Sequence, residues 1–175
     1  MLVIKIGGSL LDCAAEILAE IPRDADVLLV PGGGLFADFV REAKQDNDTA
    51  HFDAILSMNR YGRFLSTFGL PVSAMPETKG CTTVFLPHEF CKKHDVLPHS
   101  WDVTSDSIAA WIAGEAGANL LLVKSVNEEF GPKLIGTDIV DPYIFSLREM
   151  YPKMCVRIAN GRVRGEVRKA VEKMI

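Results

Sequence analysis

Short apolar runs alternate with segments of helical period along this chain, and each of the first two runs ends in a cluster of glycines. The runs at 2–6 and 27–30 are rich in branched aliphatic residues, which is typical of strands buried on both faces of a parallel sheet. Gly7-Gly8-Ser9 follows the first run and Pro31-Gly32-Gly33-Gly34 follows the second. This repeated strand–glycine–helix unit predicts a doubly wound α/β sheet with ligands at the carboxyl ends of its strands.

The alternation of strand and helix patterns continues to the end of the chain, with residues 128–142 as a loop or hairpin. Asp12 and then Thr104 or Ser105 are expected to cap two of the helices. The pattern predicts helices over 12–20, 35–44, 50–68, 87–94, 103–116, 144–150 and 165–174, and further strands over 72–74, 82–86, 119–123 and 155–158.

Size and charge narrow the functional class. A length of 175 residues predicts one domain, and 48% hydrophobic with 24% charged residues is ordinary for a globular protein. A formal charge of −4, without a strong basic cluster, argues against a nucleic-acid groove. Four cysteines without a C-x-x-C pair predict reduced thiols in a cytoplasmic protein. Neither a membrane span nor a signal peptide is expected from the pattern of apolar residues.

The two glycine clusters have the chemistry of an anion site. Because both follow parallel strands, they would face one another at one edge of the sheet, beside helix N-termini that offer free N–H groups. Their spacing matches neither the P-loop nor the G-x-G-x-x-G fingerprint, and no acidic residue ends the second strand. This argues against an NAD-dependent dehydrogenase and leaves a phosphate site of another kind.

Three charged residues are candidates for binding or catalysis at that edge of the sheet. Lys5 lies inside the first apolar strand, where it either faces a phosphate or points to solvent from an edge strand. Asp106, in the first turn of a predicted helix, either holds Lys5 and Lys124 in place or only interacts with the helix dipole.

The order of these motifs resembles the amino acid kinase superfamily, which includes acetylglutamate, carbamate, uridylate and isopentenyl phosphate kinases. The resemblance is carried by KIGGSLL at 5–11, PGGG at 31–34, TSDSIAAWIA at 104–113, LLLVKSVN at 120–127 and the turn at 158–161. It implies a three-layer α/β/α sandwich with a central, mainly parallel sheet in a single domain spanning 1–175. The acceptor side would be formed by about 1–100 and the nucleotide side by about 101–175.

The resemblance also implies roles for individual residues. Lys5 matches the lysine that bridges donor and acceptor phosphates, and Asp106 matches the aspartate that orients the lysines. Lys124 departs from the family's usual T-D-V-D-G segment, and either Lys124 or Lys133 would be the second phosphate lysine. The later G-G-M-x-x-K segment of the family is not recognisable. The remaining matches are Gly7, Gly8 and Ser9 on the transferring group, Gly32, Gly33 and Gly34 on the acceptor, and Ser125 and Asn127 on the nucleotide.

Within the superfamily, PHSWDVTSDSIAAWIA and AILSMNRYG (54–62) resemble the archaeal kinases of methanofuran biosynthesis. The implied acceptor is [5-(aminomethyl)furan-3-yl]methyl phosphate, which would be converted into its diphosphate. His99, Trp101 and Asp102 are the candidates for its recognition, with a core role for Trp101 and a helix cap by Asp102 as the alternatives. Arg60 and Arg63 either take the acceptor phosphate or form a solvated helix face.

The resemblance implies ATP as phosphoryl donor and Mg²⁺ held by the ATP phosphates, with no protein side chain assigned as a metal ligand. It further implies a homo-oligomer, a dimer or higher, to which the predicted helix at 50–68 either contributes or is entirely core. Other acceptors remain open, namely a nucleoside monophosphate or isopentenyl phosphate. A non-catalytic nucleotide-binding or metal-storage protein of the same fold is the other alternative.

Overall fold

The computed structural model describes all 175 residues and contains one six-stranded, all-parallel sheet flanked by helices. Each predicted strand is found with its ends within two residues of the expectation, and the α/β prediction is confirmed. The strands are β1 (Leu2–Ile6), β2 (Val27–Pro31), β3 (Val72–Ser73), β4 (Thr83–Phe85), β5 (Asn119–Lys124) and β6 (Val156–Asn160), in the order β3-β4-β2-β1-β5-β6.

Seven α-helices accompany these strands, and all seven were predicted within three residues of their ends. They are α1 (Ala14–Ala19), α2 (Gly34–Glu42), α3 (Asn47–Ser66), α4 (His88–Lys93), α5 (Ser105–Glu115), α6 (Tyr143–Met150) and α7 (Glu166–Glu172), and 3-10 turns cover Gly8–Cys13 and Pro132–Leu134. No helix is long and apolar enough to cross a membrane.

The alternation of side chains along the strands divides the core between the two faces of the sheet. In β1, Val3 packs in the cluster that contains α5 and α6, whereas Ile4 packs in the cluster that contains α1 and α7. Since side chains of one strand alternate between faces, Lys5 projects to the same side as Val3, toward α5. In β5, Leu122 belongs to the α5 cluster, so Lys124 follows it to that side.

Strand β1 lies in the middle of the sheet, paired with β2 on one edge and β5 on the other. Lys5 is in register with Val30 of β2 and Leu122 of β5. The alternative of a solvent-facing edge strand for Lys5 is therefore wrong, and the residue is 4% exposed. This register brings the ends of β1, β2 and β5 to one edge of the sheet.

Two predicted helix caps differ from the structure. Asp12 lies inside the 3-10 turn and forms an ion pair with Arg162 at 2.9 Å, because α1 begins only at Ala14. At the start of α5, the Thr104 side chain makes no capping bond; it donates to a distant carboxylate, that of Asp141, at 2.7 Å. Local sequence predicts neither of these interactions, since Arg162 and Asp141 lie far along the chain from Asp12 and Thr104.

Candidate functional site

A buried carboxylate joins two lysines at the carboxyl ends of β1 and β5. The Nζ atom of Lys5 lies 2.8 Å from Oδ1 of Asp106, and Nζ of Lys124 lies 2.5 Å from Oδ2 of the same carboxylate. Asp106 is 2% exposed. The three residues predicted from sequence to act together are thus brought together, with a net charge of one positive unit.

Burial and mutual charge set the protonation of this cluster. Burial alone would raise the pKa of Asp106, but the charges of Lys5 and Lys124 outweigh it and hold the pKa below its usual value. Burial, with the positive charge of Lys5, lowers the pKa of Lys124 from 10.5. The two ammonium groups repel one another across the carboxylate, so an anionic ligand at this point would relieve an unbalanced positive charge.

The two glycine turns meet backbone to backbone beside the lysines. A Cβ atom added to Gly8 would overlap the backbone of Gly34, and one on Gly32 would lie 2.6 Å from the amide nitrogen of Gly8. Gly34 also has φ of +56°, a conformation that glycine adopts without strain. Glycines at these positions therefore let two loops approach more closely than any side chain would allow.

The amide groups of the glycine turns fall into two sets. Those of Gly7 and Gly32 donate to Val123 and Ile6, each at 2.9 Å, and so extend the sheet. Gly8 and Ser9 begin the 3-10 turn and Gly34 begins α2, where N–H groups have no intrahelical partner. These free amides are positioned to bind phosphate oxygens.

A cavity of about 490 Å³ opens over the lysine pair and both glycine turns. Its apolar lining comes from α2, α3 and α5, with Leu35, Met58 and Ile108 among the contributors. The predicted site residues that line it are Lys5, Gly7, Gly8, Ser9, Gly33, Gly34, Trp101 and Lys124. The volume is within the range of small-molecule sites.

Trp101 is not a core residue, because it is 38% exposed and lines the cavity. The guanidinium carbon of Arg41, a residue that sequence reasoning did not select, lies 4.6 Å from its ring centroid. Asp102 is exposed and lies outside the cavity lining. His99 also lies outside it, where its ring bonds to Asp48 at 2.7 Å and to Asp95 at 2.8 Å.

The residues predicted for the nucleotide side lie outside the cavity lining. Ser125 and Asn127 are exposed and do not line the cavity, and the side-chain oxygen of Asn127 accepts a 2.8 Å hydrogen bond from Asn160. Lys133 is paired with Glu128 at 2.9 Å, with its side chain 59% exposed. Between the two lysines left open by the sequence, Lys124 is the one beside Asp106.

Asp141 stabilises the turn that carries Asp106 and so positions the lysine pair. This residue was not identified from the sequence. Its carboxylate accepts hydrogen bonds from the amides of Thr104 and Ser107, at 2.8 and 2.9 Å, and from both side-chain hydroxyls. Burial, with the negative charge of Asp106, raises its pKa. The residue fixes the first turn of α5, which carries Asp106. An Asp-Pro pair before α6 is its only local signal, and its partners are not visible from sequence.

Arg162 anchors the first glycine turn from the far end of the chain. It donates to the carbonyl oxygen of Ser9 at 2.8 Å and to both oxygens of Asp12, at 2.9 and 3.1 Å. The turn that carries Arg162 is held by Asn160, whose side-chain oxygen accepts from the Arg162 amide at 2.9 Å. The loop after β6 thereby positions the loop after β1.

The sequence profile of the amino acid kinase family matches residues 1–128, which include β1, both glycine turns, α5 and β5. The chain belongs to the amino acid kinase family. The match contains the lysine pair and Asp106, and ends shortly after Lys124.

Known relatives and solved structures agree with this assignment. The [5-(aminomethyl)furan-3-yl]methyl phosphate kinase of Methanocaldococcus jannaschii is 30% identical over 129 residues, which cover 64% of this chain. The aligned part spans 59% of the length of that relative.

Two solved members of the same fold superpose on nearly the whole chain. The uridylate kinase of Archaeoglobus fulgidus has a TM-score of 0.63 at 15% identity, covering 99% of this chain and 95% of its own. An isopentenyl phosphate kinase structure has a TM-score of 0.58 at 14% identity, covering 100% and 97%. At these identities the likeness shows the fold alone.

Proposed function

We propose that this amino acid kinase family protein transfers the γ-phosphoryl group of ATP to a small phosphomonoester. The observation that carries the proposal is the pair of lysines held on one buried carboxylate beneath two opposed glycine turns. Two positive charges and free backbone amides around one cavity suit two phosphate groups brought close together. Membership of a family of ATP-dependent kinases supports the choice of donor.

Phosphoryl transfer asks the protein for positioning and charge stabilisation more than for covalent chemistry. Lys5 and Lys124 would neutralise charge on the moving group, and Asp106 would keep both ammonium groups in place. The free amides of the glycine turns would bind the phosphate oxygens. A phosphomonoester acceptor has a second pKa of about 6. Because it is therefore largely ionised at neutral pH, it is a nucleophile without a general base. The bond between the γ-phosphorus of ATP and the oxygen that bridges it to the β-phosphate breaks, a new bond forms between the γ-phosphorus and an oxygen of the acceptor phosphate, and ADP leaves with the bridging oxygen.

The site fits Mg²⁺ held mainly by phosphates. Asp106, the carboxylate at the centre of the site, is already shared by two lysines. Bound through the ATP phosphates, Mg²⁺ would supply additional charge neutralisation. Ser125 and Asn127 stay candidates for the nucleotide side, as they follow directly on Lys124.

For the acceptor we propose [5-(aminomethyl)furan-3-yl]methyl phosphate, and with it a place in methanofuran biosynthesis. The support is the 30% identity to the Methanocaldococcus jannaschii kinase, together with a cavity that combines an apolar lining with charged groups. A nucleoside monophosphate or isopentenyl phosphate is the alternative within the same reaction class. A panel of phosphomonoesters with ATP and Mg²⁺, followed by ADP release, distinguishes these acceptors.

The reaction itself is tested with Lys5→Ala. We expect kcat to fall by at least about a hundredfold, since one of the charged groups that stabilise the transferring phosphate is lost. Lys92→Ala is the matched control, because Lys92 is exposed on α4, away from the cavity. Full activity in Lys5→Ala, or no ADP release with any phosphomonoester, would refute the kinase and favour a storage or nucleotide-binding role.

A further inference from the structure

His51 is a buried side chain that lacks a partner and opens on the cavity. It lies in the second turn of α3, is 8% exposed and lines the cavity together with Trp101. Its ring packs against Phe52 and His99 but forms no hydrogen bond within the protein. Because neither ring nitrogen is a fully buried atom without a partner, His51 offers an accessible polar group to a ligand at the wall of the cavity.

The ring of His99 lies stacked on that of His51. The centroids are 4.2 Å apart and the planes differ by 19°. One nitrogen of His99 contacts Asp48 at 2.7 Å and the other contacts Asp95 at 2.8 Å. A carboxylate beside each nitrogen favours the ring form that donates from both nitrogens, the imidazolium. Its two carboxylate partners raise the pKa of His99 accordingly.

The cluster of charged groups beside His51 carries a net negative charge. It contains two carboxylates, those of Asp48 and Asp95, and one His99 ring that can carry at most one positive charge. Burial, aided by the positive charge of His99, lowers the pKa of His51 to about 4. His51 is therefore neutral at physiological pH, and an unprotonated ring nitrogen offers a lone pair to a donor.

We propose that His51 is the residue that recognises a primary ammonium group on the acceptor. The inference rests on the proposed function, since it assigns the non-phosphate end of the same substrate. The lysine pair and His51 line one cavity, which thus offers one group for a phosphate and another for an ammonium group. Asp102, the carboxylate chosen for this role from sequence, lies outside that cavity.

Trp101 also lines the cavity and is the aromatic side chain suited to a cation. The guanidinium of Arg41 already occupies one face of its ring, at 4.6 Å from the centroid, so the ammonium site is assigned to His51 and not to Trp101. Asp38 also lines the cavity, but its side chain is 61% exposed, and water weakens its attraction for a ligand. His51 is better shielded and discriminates more strongly.

The test compares two acceptors that differ only in the amine. One is [5-(aminomethyl)furan-3-yl]methyl phosphate, and the other carries a methyl group in place of the aminomethyl group. We expect the wild-type protein to prefer the amine by about tenfold to a hundredfold in kcat/KM, the range of one hydrogen bond to a charged group. His51→Leu should remove this preference by lowering kcat/KM for the amine toward that for the methyl compound, and His51→Gln should restore part of it through its amide oxygen.

His94→Leu is the matched control, because His94 is exposed and packs on Phe90 outside the cavity. Calorimetric binding of both compounds separates this inference from the proposed function. If neither compound is phosphorylated but only the amine binds, and His51→Leu abolishes that binding, the kinase proposal fails and the role of His51 stands. Equal binding of both compounds, or of neither, overturns the inference.

Zinc binding is the competing interpretation of the same cluster of side chains. Ligand atoms of His51, His99 and Asp95 lie within 4.8 Å of one another, and imidazole suits Zn²⁺. A bound metal would have to displace the proton that His99 shares with Asp95. Titration of the wild-type protein with Zn²⁺ alone is expected to show no tight site. Submicromolar binding that His51→Leu abolishes would overturn ammonium recognition in favour of a metal site.

Discussion

Gly8 packs directly against the backbone of Gly34, with no room for a side chain between them. A Cβ on Gly8 would force the two glycine turns apart and move the free amides that face the cavity. We expect Gly8→Ala to lower kcat by about a hundredfold, the effect of a displacement near 1 Å at a reacting centre. Steady-state kinetics with the best acceptor of the panel measures the change.

Gly131→Ala is the control for this substitution. Gly131 has φ of 173°, which any residue adopts, and no atom lies within 4 Å of an added Cβ. Its activity should match that of the wild-type protein. Equal activities in Gly8→Ala and Gly131→Ala would mean that the contact between the turns does not matter for transfer.

The pKa of Lys124 predicts an alkaline limit to activity. Because burial and Lys5 lower this pKa, kcat/KM should fall as pH rises through a value below 10.5. The folded protein loses this proton more readily than the unfolded chain, so the contribution of Lys124 to stability rises over the same window. The loss of activity would therefore come from a lost charge and not from unfolding, which circular dichroism at each pH can verify.

Lys124→Arg tests this assignment, because a guanidinium keeps its charge to about pH 12 or above. The alkaline fall should move to higher pH in this variant. Lys133→Ala should leave the profile unchanged, since Lys133 is paired with Glu128 outside the cavity. An alkaline limb that stays in place in Lys124→Arg would assign the titration to another group.

Asp141 should matter for stability as well as activity. Asp141→Ala leaves the amides of Thr104 and Ser107 without partners, which should cost about 3 kcal/mol of unfolding free energy. Asp141→Asn keeps an acceptor oxygen and should lose about 1 kcal/mol. Urea unfolding measures both, and kcat should fall in the same order as Asp106 loses its support.

Asp24→Ala, at an exposed turn before β2, is the control and should unfold like the wild-type protein. If Asp141→Ala were as stable as this control, the hydrogen bonds from the first turn of α5 to Asp141 would make no net contribution to the free energy of unfolding.

Arg162 should affect the rate of transfer more than stability. Its ion pair with Asp12 is exposed, and such pairs contribute under about 1 kcal/mol. Loss of its bond to the Ser9 carbonyl should loosen the glycine turn and lower kcat about tenfold in Arg162→Ala, with KM for the acceptor unchanged. Arg164→Ala, two residues away and exposed, should retain wild-type kinetics; a matching result for Arg162→Ala would contradict the anchoring role.

The parts of the site that sequence could predict are those set by local pattern. Apolar runs identified the strands, and glycines directly after β1 and β2 predicted two facing turns. A lysine inside an apolar run is costly to bury unless it binds a ligand, so Lys5, just before the first glycine turn, was a candidate. Lys124, by contrast, was only one of two candidates, and the structure separates them by burial.

The parts that sequence could not predict depend on contacts between distant residues. Asp141 accepts from Thr104, 37 residues before it at the start of α5, and Arg162 reaches a turn 153 residues away. His51 looked like one more residue of a long amphipathic helix. Its significance comes from the stacked ring of His99, which local periodicity does not encode.

The central position of β1 also determines which parts of the molecule can adjust during a reaction. Hydrogen-bond ladders run along both of its edges, and apolar clusters cover both of its faces. Its amides should exchange with solvent only through global unfolding, so Lys5 occupies a fixed point. Any closure around bound ligands must come from peripheral elements such as α2, which has no buried residue. The phosphates would therefore move toward Lys5 as ligands bind, and Lys5 itself would stay in place.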